Sequence, residues 1–195
     1  MNMKSTREES AEMTRDTLVE EAGALFSSQG YSQTSLGEIV SKANVTKGAF
    51  YHHFQSKEQL FAACYTKQAQ GVADKVSRVA TTNDVWVDLN AQCHVFLDCA
   101  TQQGVSIQEA ITVLGWESWR KLDEACTMGL LMQNIERLKA ENQLKPFSTN
   151  VLVDAIYGLM VNAMMTLANS SQKAQTQDEL LQLIQCFLQG LIVDP

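Results

Sequence analysis

A short stretch near residue 50 carries the side chains whose types and spacing are best suited to a chemical task. Thr46, Lys47 and Gly48 bring together a hydroxyl, an ammonium group and an uncovered backbone, and Tyr51 and His53 follow about one turn later. Such groups donate hydrogen bonds to the phosphate oxygens and base edges of nucleic acid. Residues 46–53 therefore indicate contact with a phosphate backbone.

Two short helices must position these donors. Apolar residues three and four apart predict one helix over 35–43, which opens with the capping-box pattern Ser-Leu-Gly-Glu, and another over 46–52. Helices this short are unstable alone, so they must pack against neighbours predicted over 14–29 and 56–79. A tight connection between two such helices is typical of a helix-turn-helix, whose second helix enters the DNA major groove.

The rest of the chain is also predicted to be helical. Apolar residues continue to recur three and four apart, no strand-like alternation is present, and proline occurs only at positions 146 and 195. The further predicted helices cover residues 85–102, 106–113, 116–142, 148–169 and 178–193. The predicted fold class is therefore all-α, with about nine helices.

Residues 14–61 resemble the N-terminal DNA-binding domain of TetR-like (tetracycline-repressor-type) regulators. The resemblance is carried by Thr34-Ser35-Leu36, by Ile39-Val40, and by the uninterrupted run Ala43-Asn44-Val45-Thr46-Lys47-Gly48-Ala49-Phe50-Tyr51-His52-His53-Phe54-Gln55-Ser56-Lys57-Glu58-Gln59-Leu60. It implies an N-terminal helix-turn-helix domain over 1–62 and a C-terminal effector-binding and dimerisation domain over 63–195. Asn44 stands where the family often has a small residue, but asparagine tolerates a left-handed turn.

The resemblance also implies a function. Members of the family are DNA-binding transcriptional regulators, so we expect a cytoplasmic repressor that binds a palindromic double-stranded DNA operator as a homodimer and is released by a small molecule. No cofactor is expected. Transferred by position, the residues expected at the DNA are Thr34, Ser35, Thr46, Lys47, Gly48, Tyr51, His53 and Lys57.

The C-terminal half is expected to supply the dimer interface and the effector pocket. The last two helices have apolar faces that look too wide for one partner each, although an intrachain core is the alternative. The predicted interface residues are Leu152, Ile156, Leu159, Met160, Met164, Leu181, Ile184, Phe187, Leu188 and Leu191. The predicted pocket residues, which favour an apolar or aromatic effector, are Trp86, Cys93, His94, Phe96, Leu97, Ile111, Trp116, Trp119 and Met128.

The distribution of charge sharpens this interpretation. A net charge of −7 would ordinarily argue against nucleic acid, because phosphate neutralisation needs lysine and arginine. The acids are concentrated beyond Lys67, where the net charge is −6, whereas residues 30–60 carry +1. We therefore predict weak non-specific DNA affinity, with specificity supplied by a dimer that binds two half-sites at once.

Other functional classes have weaker support in the sequence. Three scattered histidines without a glycine-rich loop provide no nucleophile–base pair, and the adjacent His52 and His53 point about 100° apart, which disfavours a metal site. The five cysteines lack CxxC spacing, so reduced thiols are expected. Asp154 inside the apolar run 151–168 favours a buried helix over a membrane span. A helical adaptor that has lost DNA binding is the alternative.

Overall fold

The computed structural model describes residues 3–79, 81–100, 102 and 104–193. Over these residues the fold is all-α, as predicted, with an isolated antiparallel bridge between Leu144 and Ile192 as its strand-like pairing. Nine helices form in this part of the chain: α1 (Met3–Gln29), α2 (Leu36–Lys42), α3 (Lys47–His53), α4 (Lys57–Ser77), α5 (Val85–Cys99), α6 (Ile107–Leu114), α7 (Trp116–Ala140), α8 (Thr149–Asn169) and α9 (Lys173–Gln189).

Two helices extend beyond the limits that apolar periodicity predicts. α1 begins at Met3 rather than near residue 14, and α9 begins at Lys173 rather than at 178. Residues 8–13 and 173–177 are largely polar and mostly exposed, so they contain no apolar stripe to detect. They also contain no proline and consist mainly of residues with good helix propensity. The predicted starts are therefore wrong. Helix propensity extends these helices through mostly exposed residues that leave no apolar pattern.

The chain forms two compact units, each made of two separate segments. The first comprises Met1–Gln68 and Gln103–Arg120, and the second comprises Ala69–Gln102 and Lys121–Pro195. Residues 103–120 thus group with the N-terminal helices, although the predicted boundary at 62/63 assigned them to the C-terminal domain. Long-range contacts cause this grouping: the Gln68 side chain bonds both the backbone N and O of Val105, at 2.8 and 2.9 Å. The function assigned to each domain stays a prediction.

Aromatic rings join the helices of the first unit. Phe26 of α1 and Phe61 of α4 are almost fully buried, with ring centroids 5.1 Å apart in an edge-to-face arrangement. Ile39 of α2 and Phe50 of α3 are completely buried. The short helices α2 and α3 gain their stability from this core, because neither is long enough to be stable alone.

The core of the second unit involves α5, α8 and α9. Leu97, Ile156 and Ile184, one from each helix, are all completely or almost completely buried. α8 is also long and apolar enough to cross a membrane by length and composition, with a mean hydropathy of 1.7. The core helix of a soluble protein has the same features, and α8 places Leu152 and Leu167 in this core. A single helix of this kind is therefore weak evidence for a membrane protein.

Candidate functional site

Local hydrogen bonds define a helix-turn-helix in the first unit. Ser35 caps α2 with both halves of a capping box: the Glu38 backbone N donates to Ser35 Oγ at 3.2 Å, and the Ser35 backbone N donates to Glu38 Oε2 at 2.8 Å. Asn44 adopts a φ of 53°, the left-handed conformation that asparagine tolerates. Thr46 then caps α3, and its hydroxyl oxygen accepts from the Ala49 backbone N at 3.1 Å. These contacts confirm the predicted turn.

α3 has one buried and one exposed side. Phe50 is completely buried, whereas Thr46, Lys47 and Gly48 are exposed and Tyr51 keeps 58% of its surface exposed. The Tyr51 and Phe50 rings meet edge to face, with centroids 5.2 Å apart. The core thus supports a tyrosine ring that is otherwise open to solvent. The exposed side presents a hydroxyl, an ammonium group, a phenol and glycine backbone next to one another.

His53, the last residue of α3, is half-buried. Loss of hydration lowers the pKa of its imidazole, and the charges of His52 and Arg15 lower this pKa further. His53 is therefore a neutral hydrogen-bonding group at pH 7. The Arg15 guanidinium lies 5.4 Å from the Phe54 ring centroid, so it flanks this end of α3. Arg15 is absent from the residues predicted at the DNA, because it stands in a polar stretch of α1 with no distinguishing pattern.

Two of the eight residues predicted to contact DNA are held inside the first unit. Thr34 is 1% exposed, and its hydroxyl donates to the Gly30 carbonyl at 2.8 Å. The Lys57 ammonium donates to the carbonyl oxygens of Tyr31 and Thr34, both at 2.8 Å, and lies 4.0 Å from the Tyr31 ring centroid. The prediction of a side-chain contact at Thr34 is therefore corrected, because the protein covers this side chain. Lys57 retains one of its three donors.

A small cavity of about 70 Å³ lies within the second unit. Two polar pairs lie at or beside it: Asn134 Nδ2 donates to Gln92 Oε1 at 2.7 Å, and the Tyr157 hydroxyl donates to Asp123 Oδ2 at 2.6 Å. Burial raises the pKa of the Cys93 thiol, which also lines the cavity, to about 12. The lining residues, mainly apolar side chains of α4, α5, α7 and α8, are Val76, Leu89, Gln92, Cys93, Phe96, Thr127, Leu130, Leu131, Ile156, Tyr157 and Met160.

Two of the nine predicted pocket residues, Cys93 and Phe96, line this cavity, and the other seven do not. Leu97 is completely buried and His94 is exposed. Trp86 lines a separate cavity and donates from Nε1 to Gln143 at 2.7 Å. Met128 packs half-buried on the core of the second unit. The remaining three belong to the first unit: Ile111, Trp116 and Trp119. Periodicity identifies apolar faces but not which unit a helix joins, so the predicted pocket residues do not all meet at one cavity. Their contact with an effector stays a prediction.

Most of the predicted dimer interface is core of the single chain instead. Six of its ten residues are at most 8% exposed: Leu152, Ile156, Met160, Leu181, Ile184 and Leu188. The other four are half-buried or exposed: Leu159, Met164, Phe187 and Leu191. The wide apolar faces of α8 and α9 pack within the chain, which is the alternative that the sequence left open. Phe187 of α9 is the one predicted interface residue that also belongs to the exposed face of these helices, whose other members are Val151, Ala155, Gly158 and Asn162 of α8 and Leu183 of α9.

Family models match both parts of the chain. Residues 18–64 match the model described as bacterial regulatory proteins, tetR family. Residues 86–191 match the model described as the tetracyclin repressor-like C-terminal domain. The first match spans the helix-turn-helix together with the parts of α1 and α4 that support it, and the second spans α5 to α9.

Similar proteins extend the comparison along the whole chain. The chain is 30% identical over 194 residues to the transposon Tn10 TetC protein of Escherichia coli, and the alignment covers 98% of each chain. It is 41% identical over 71 residues to the HTH-type transcriptional regulator AcrR of Shigella flexneri, over 36% of this chain and 33% of that protein. A crystal structure of a TetR-family transcriptional regulator from Pectobacterium atrosepticum matches with a TM-score of 0.82 and 26% identity, over 95% of this chain and 97% of that one.

Proposed function

The chain belongs to the tetR family of bacterial regulatory proteins and is a DNA-binding transcriptional regulator, and from this membership we propose that it is a repressor that binds a palindromic operator as a homodimer and is released by a small molecule. Proteins of this family are regulators of transcription and not enzymes. The observation that supports the proposal most directly is the two-sided character of α3. Four hydrogen-bonding groups are exposed on one side, and Phe50 on the other side is completely buried. Such a regulator acts in the cytoplasm, where its DNA is.

The proposed DNA surface consists of α3 and the cap of α2. Lys47 supplies a charge, and Thr46, Tyr51 and the Gly48 backbone supply neutral donors for phosphates and base edges. Ser35 lies at the exposed start of α2, where a helix cap is a common site of phosphate contact. These groups are held on helices that are capped and packed, so little ordering is needed when DNA binds.

The proposed dimer interface is the exposed face of α8 and α9 rather than the buried residues predicted from the sequence. Ala155 and Gly158 are small and exposed on α8, so a second helix can approach closely there. Leu183 is 55% exposed and Phe187 is 37% exposed on α9, and both provide apolar area to bury. An isologous contact through this face gives a closed dimer of four helices.

The proposed effector site is the cavity lined by Cys93 and Phe96. Its apolar lining favours an apolar or aromatic molecule, and the Gln92–Asn134 pair provides polar groups that could orient it. The cavity volume of about 70 Å³ is well below the roughly 300 Å³ of a typical small-molecule site. We therefore expect the cavity to widen when the effector binds, which gives the bound and free states different shapes.

Selection of bound duplexes from random DNA tests this proposal. We expect enrichment of a palindrome whose half-sites are centred about one helical turn or a multiple of it apart. The double substitution Lys47→Ala/Tyr51→Ala should abolish binding of the enriched duplex while the dimer persists, and Gln108→Ala, at an exposed position of α6, serves as the matched control. Equal affinity for random and enriched DNA would refute operator recognition and favour the helical adaptor.

A further inference from the structure

Charged side chains from two other helices hold the turn between α1 and α2. The Tyr31 backbone N donates to Glu109 Oε1 of α6 at 2.7 Å, across 78 residues of sequence. The Tyr31 carbonyl oxygen accepts from Lys57 Nζ of α4 at 2.8 Å. The two polar backbone atoms of one residue are thus bound by opposite charges, and hydrogen bonds to charged groups are the stronger ones. Tyr31 is therefore fixed from both sides.

Gly30 allows Glu109 to approach the turn closely without displacement. Its φ of 81° lies in the left-handed region that favours glycine. A Cβ atom at this position would also lie only 3.1 Å from Glu109 Oε1. Because the residue at 30 has no side chain, the carboxylate can rest against the turn and reach the next backbone N–H.

The Glu109 carboxylate does not bond the cap residue of its own helix, although its position in α6 predicts that contact. Ser106 caps α6 by accepting from the Glu109 backbone N at 3.1 Å, and the pattern Ser-Ile-Gln-Glu is that of a capping box. In α2 the equivalent Glu38 closes such a box on its own cap residue. In α6 the carboxylate instead bonds Tyr31, so a local capping contact is replaced by a tertiary one.

The position of this turn determines where the DNA-binding helices begin. The Tyr31 ring packs on Phe26 and Phe61, with centroid distances of 5.6 and 5.1 Å, and four residues later Ser35 caps α2. A displacement of Tyr31 would shift that cap and, through α2, the start of α3. We propose that Glu109 is a positioning residue for DNA binding, because its bond to the Tyr31 N–H fixes the turn 30–35. The inference rests on the proposed function, in which α3 reads an operator.

Three substitutions at position 109 distinguish the effect of side-chain length from the effect of side-chain charge. Glu109→Gln keeps the length of the side chain and an accepting oxygen but removes the charge, whereas Glu109→Asp keeps the charge and withdraws the oxygen by about 1.5 Å, one methylene group. Glu109→Ala removes both. Glu117→Gln is the matched control, because Glu117 is an exposed acid of the same unit. Affinities are measured for the operator duplex obtained by selection and for a scrambled duplex of equal length.

We expect Glu109→Asp and Glu109→Ala to raise the operator Kd about 10-fold, which corresponds to ~1.4 kcal/mol, and Glu109→Gln to stay within about threefold of the unchanged protein. Loss of an acid alone would strengthen binding to both duplexes, so the weaker operator binding of Glu109→Ala has the opposite sign to a charge effect. The Tyr31 amide resonance should shift further in the Asp and Ala variants, which lose the hydrogen bond, than in Glu109→Gln, which keeps an accepting oxygen.

Two results would overturn the inference: an unchanged operator Kd in Glu109→Asp, or a loss in Glu109→Gln as large as that in Glu109→Ala. If Glu109→Ala fails to fold, the comparison of the Asp and Gln variants decides by itself. Failure of the proposed function is distinguishable, because the unchanged protein would then show no preference for any duplex over the scrambled one.

Discussion

Replacement of Lys57 by methionine tests whether this side chain supports the turn 30–35 or contacts DNA. Methionine keeps an unbranched side chain of similar length but removes the ammonium group. That group donates to the carbonyl oxygens of Tyr31 and Thr34 at 2.8 Å and lies 4.0 Å from the Tyr31 ring centroid. We expect a less stable first unit, with weaker operator binding as a consequence.

The size of the effect follows from these three contacts. A hydrogen bond to a charged group contributes about 1.5–3 kcal/mol, and a cation–π contact at an exposed site contributes about 0.5–1 kcal/mol. Lys57 is only half-buried, and both carbonyl oxygens can regain water in the variant, so the contributions are well below their full values. We expect the free energy of unfolding of the first unit to fall by about 2 kcal/mol in Lys57→Met.

Tryptophan fluorescence in a Trp86→Phe background can measure this free energy during urea unfolding. The two remaining tryptophans, Trp116 and Trp119, belong to the first unit, so the signal reports that unit alone. Lys47→Met is the matched control: its lysine is exposed on α3, so stability should change by less than about 0.5 kcal/mol while operator affinity falls. The reasoning is refuted if Lys57→Met keeps the urea midpoint and loses operator affinity, since Lys57 would then act at the DNA.

The exposed face of α9 should form part of the dimer interface. Leu183→Asp, at a position 55% exposed, should therefore give a monomer in light scattering, whereas the control Val87→Asp, at a position 53% exposed on α5, should stay dimeric. A dimeric Leu183→Asp protein would exclude this face. Hydrogen bonds from Thr82 lower the pKa of the Asp88 carboxyl, so its stabilising effect is present above the ordinary pKa of 3.8 and is lost as the pH falls through the lower native value. Melting temperatures of the unchanged protein and Asp88→Asn should therefore differ at about pH 6 and converge as the pH falls below the lowered native pKa of this carboxyl; a constant difference would contradict this. Burial raises the pKa of the Cys93 thiol to about 12, so iodoacetamide at about pH 8 should alkylate it only after unfolding, as mass spectrometry would detect. Rapid alkylation of the native protein would contradict that expectation.

The helix-turn-helix could be predicted from the sequence because its determinants are local. The capping box of Ser35 and Glu38 and the turn at Asn44 each depend on residues within five positions of one another, and both form as expected. Phe50, the residue of α3 that faces the core, is completely buried. Where short-range chemistry and packing agree, the pattern of residues is sufficient.

The proposed dimer surface and the cavity could be predicted only in part, because both depend on which of several apolar faces meets which partner. Ile156 and Ile184 have the spacing of an interface and are instead buried within the chain. Glu109 illustrates the same limit for a polar residue. Its spacing from Ser106 indicates a local capping box, and only the tertiary fold brings Tyr31 close enough to take the carboxylate instead. A contact between residues 78 positions apart produces no periodic pattern in the sequence, so it cannot be predicted from residue spacing.

The positive charges available to DNA are few in the first unit. Among the lysines whose side chains are described there, Lys42 and Lys67 each face a glutamate of α1, with N–O distances of 3.9 and 2.8 Å, and Lys57 bonds two carbonyl oxygens. Lys47 is exposed on α3, and Arg15 flanks the end of that helix. Among the side chains that the structure describes on and beside α3, we therefore count two cations for each protomer, and four for a dimer, that are placed to neutralise phosphates.

This count predicts an unusually shallow dependence of operator affinity on salt. Four neutralised phosphates give a slope of about −4 in a plot of log affinity against log salt concentration, and Lys47→Met should reduce it to about −2. The neutral donors Thr46, Tyr51 and His53 release no counterions at pH 7, so specificity should persist at salt concentrations that remove non-specific binding. A measured slope of about −8 or steeper would mean that lysines paired in the free protein exchange their glutamate partners for phosphates, and the neutral donors would then no longer account for most of the affinity.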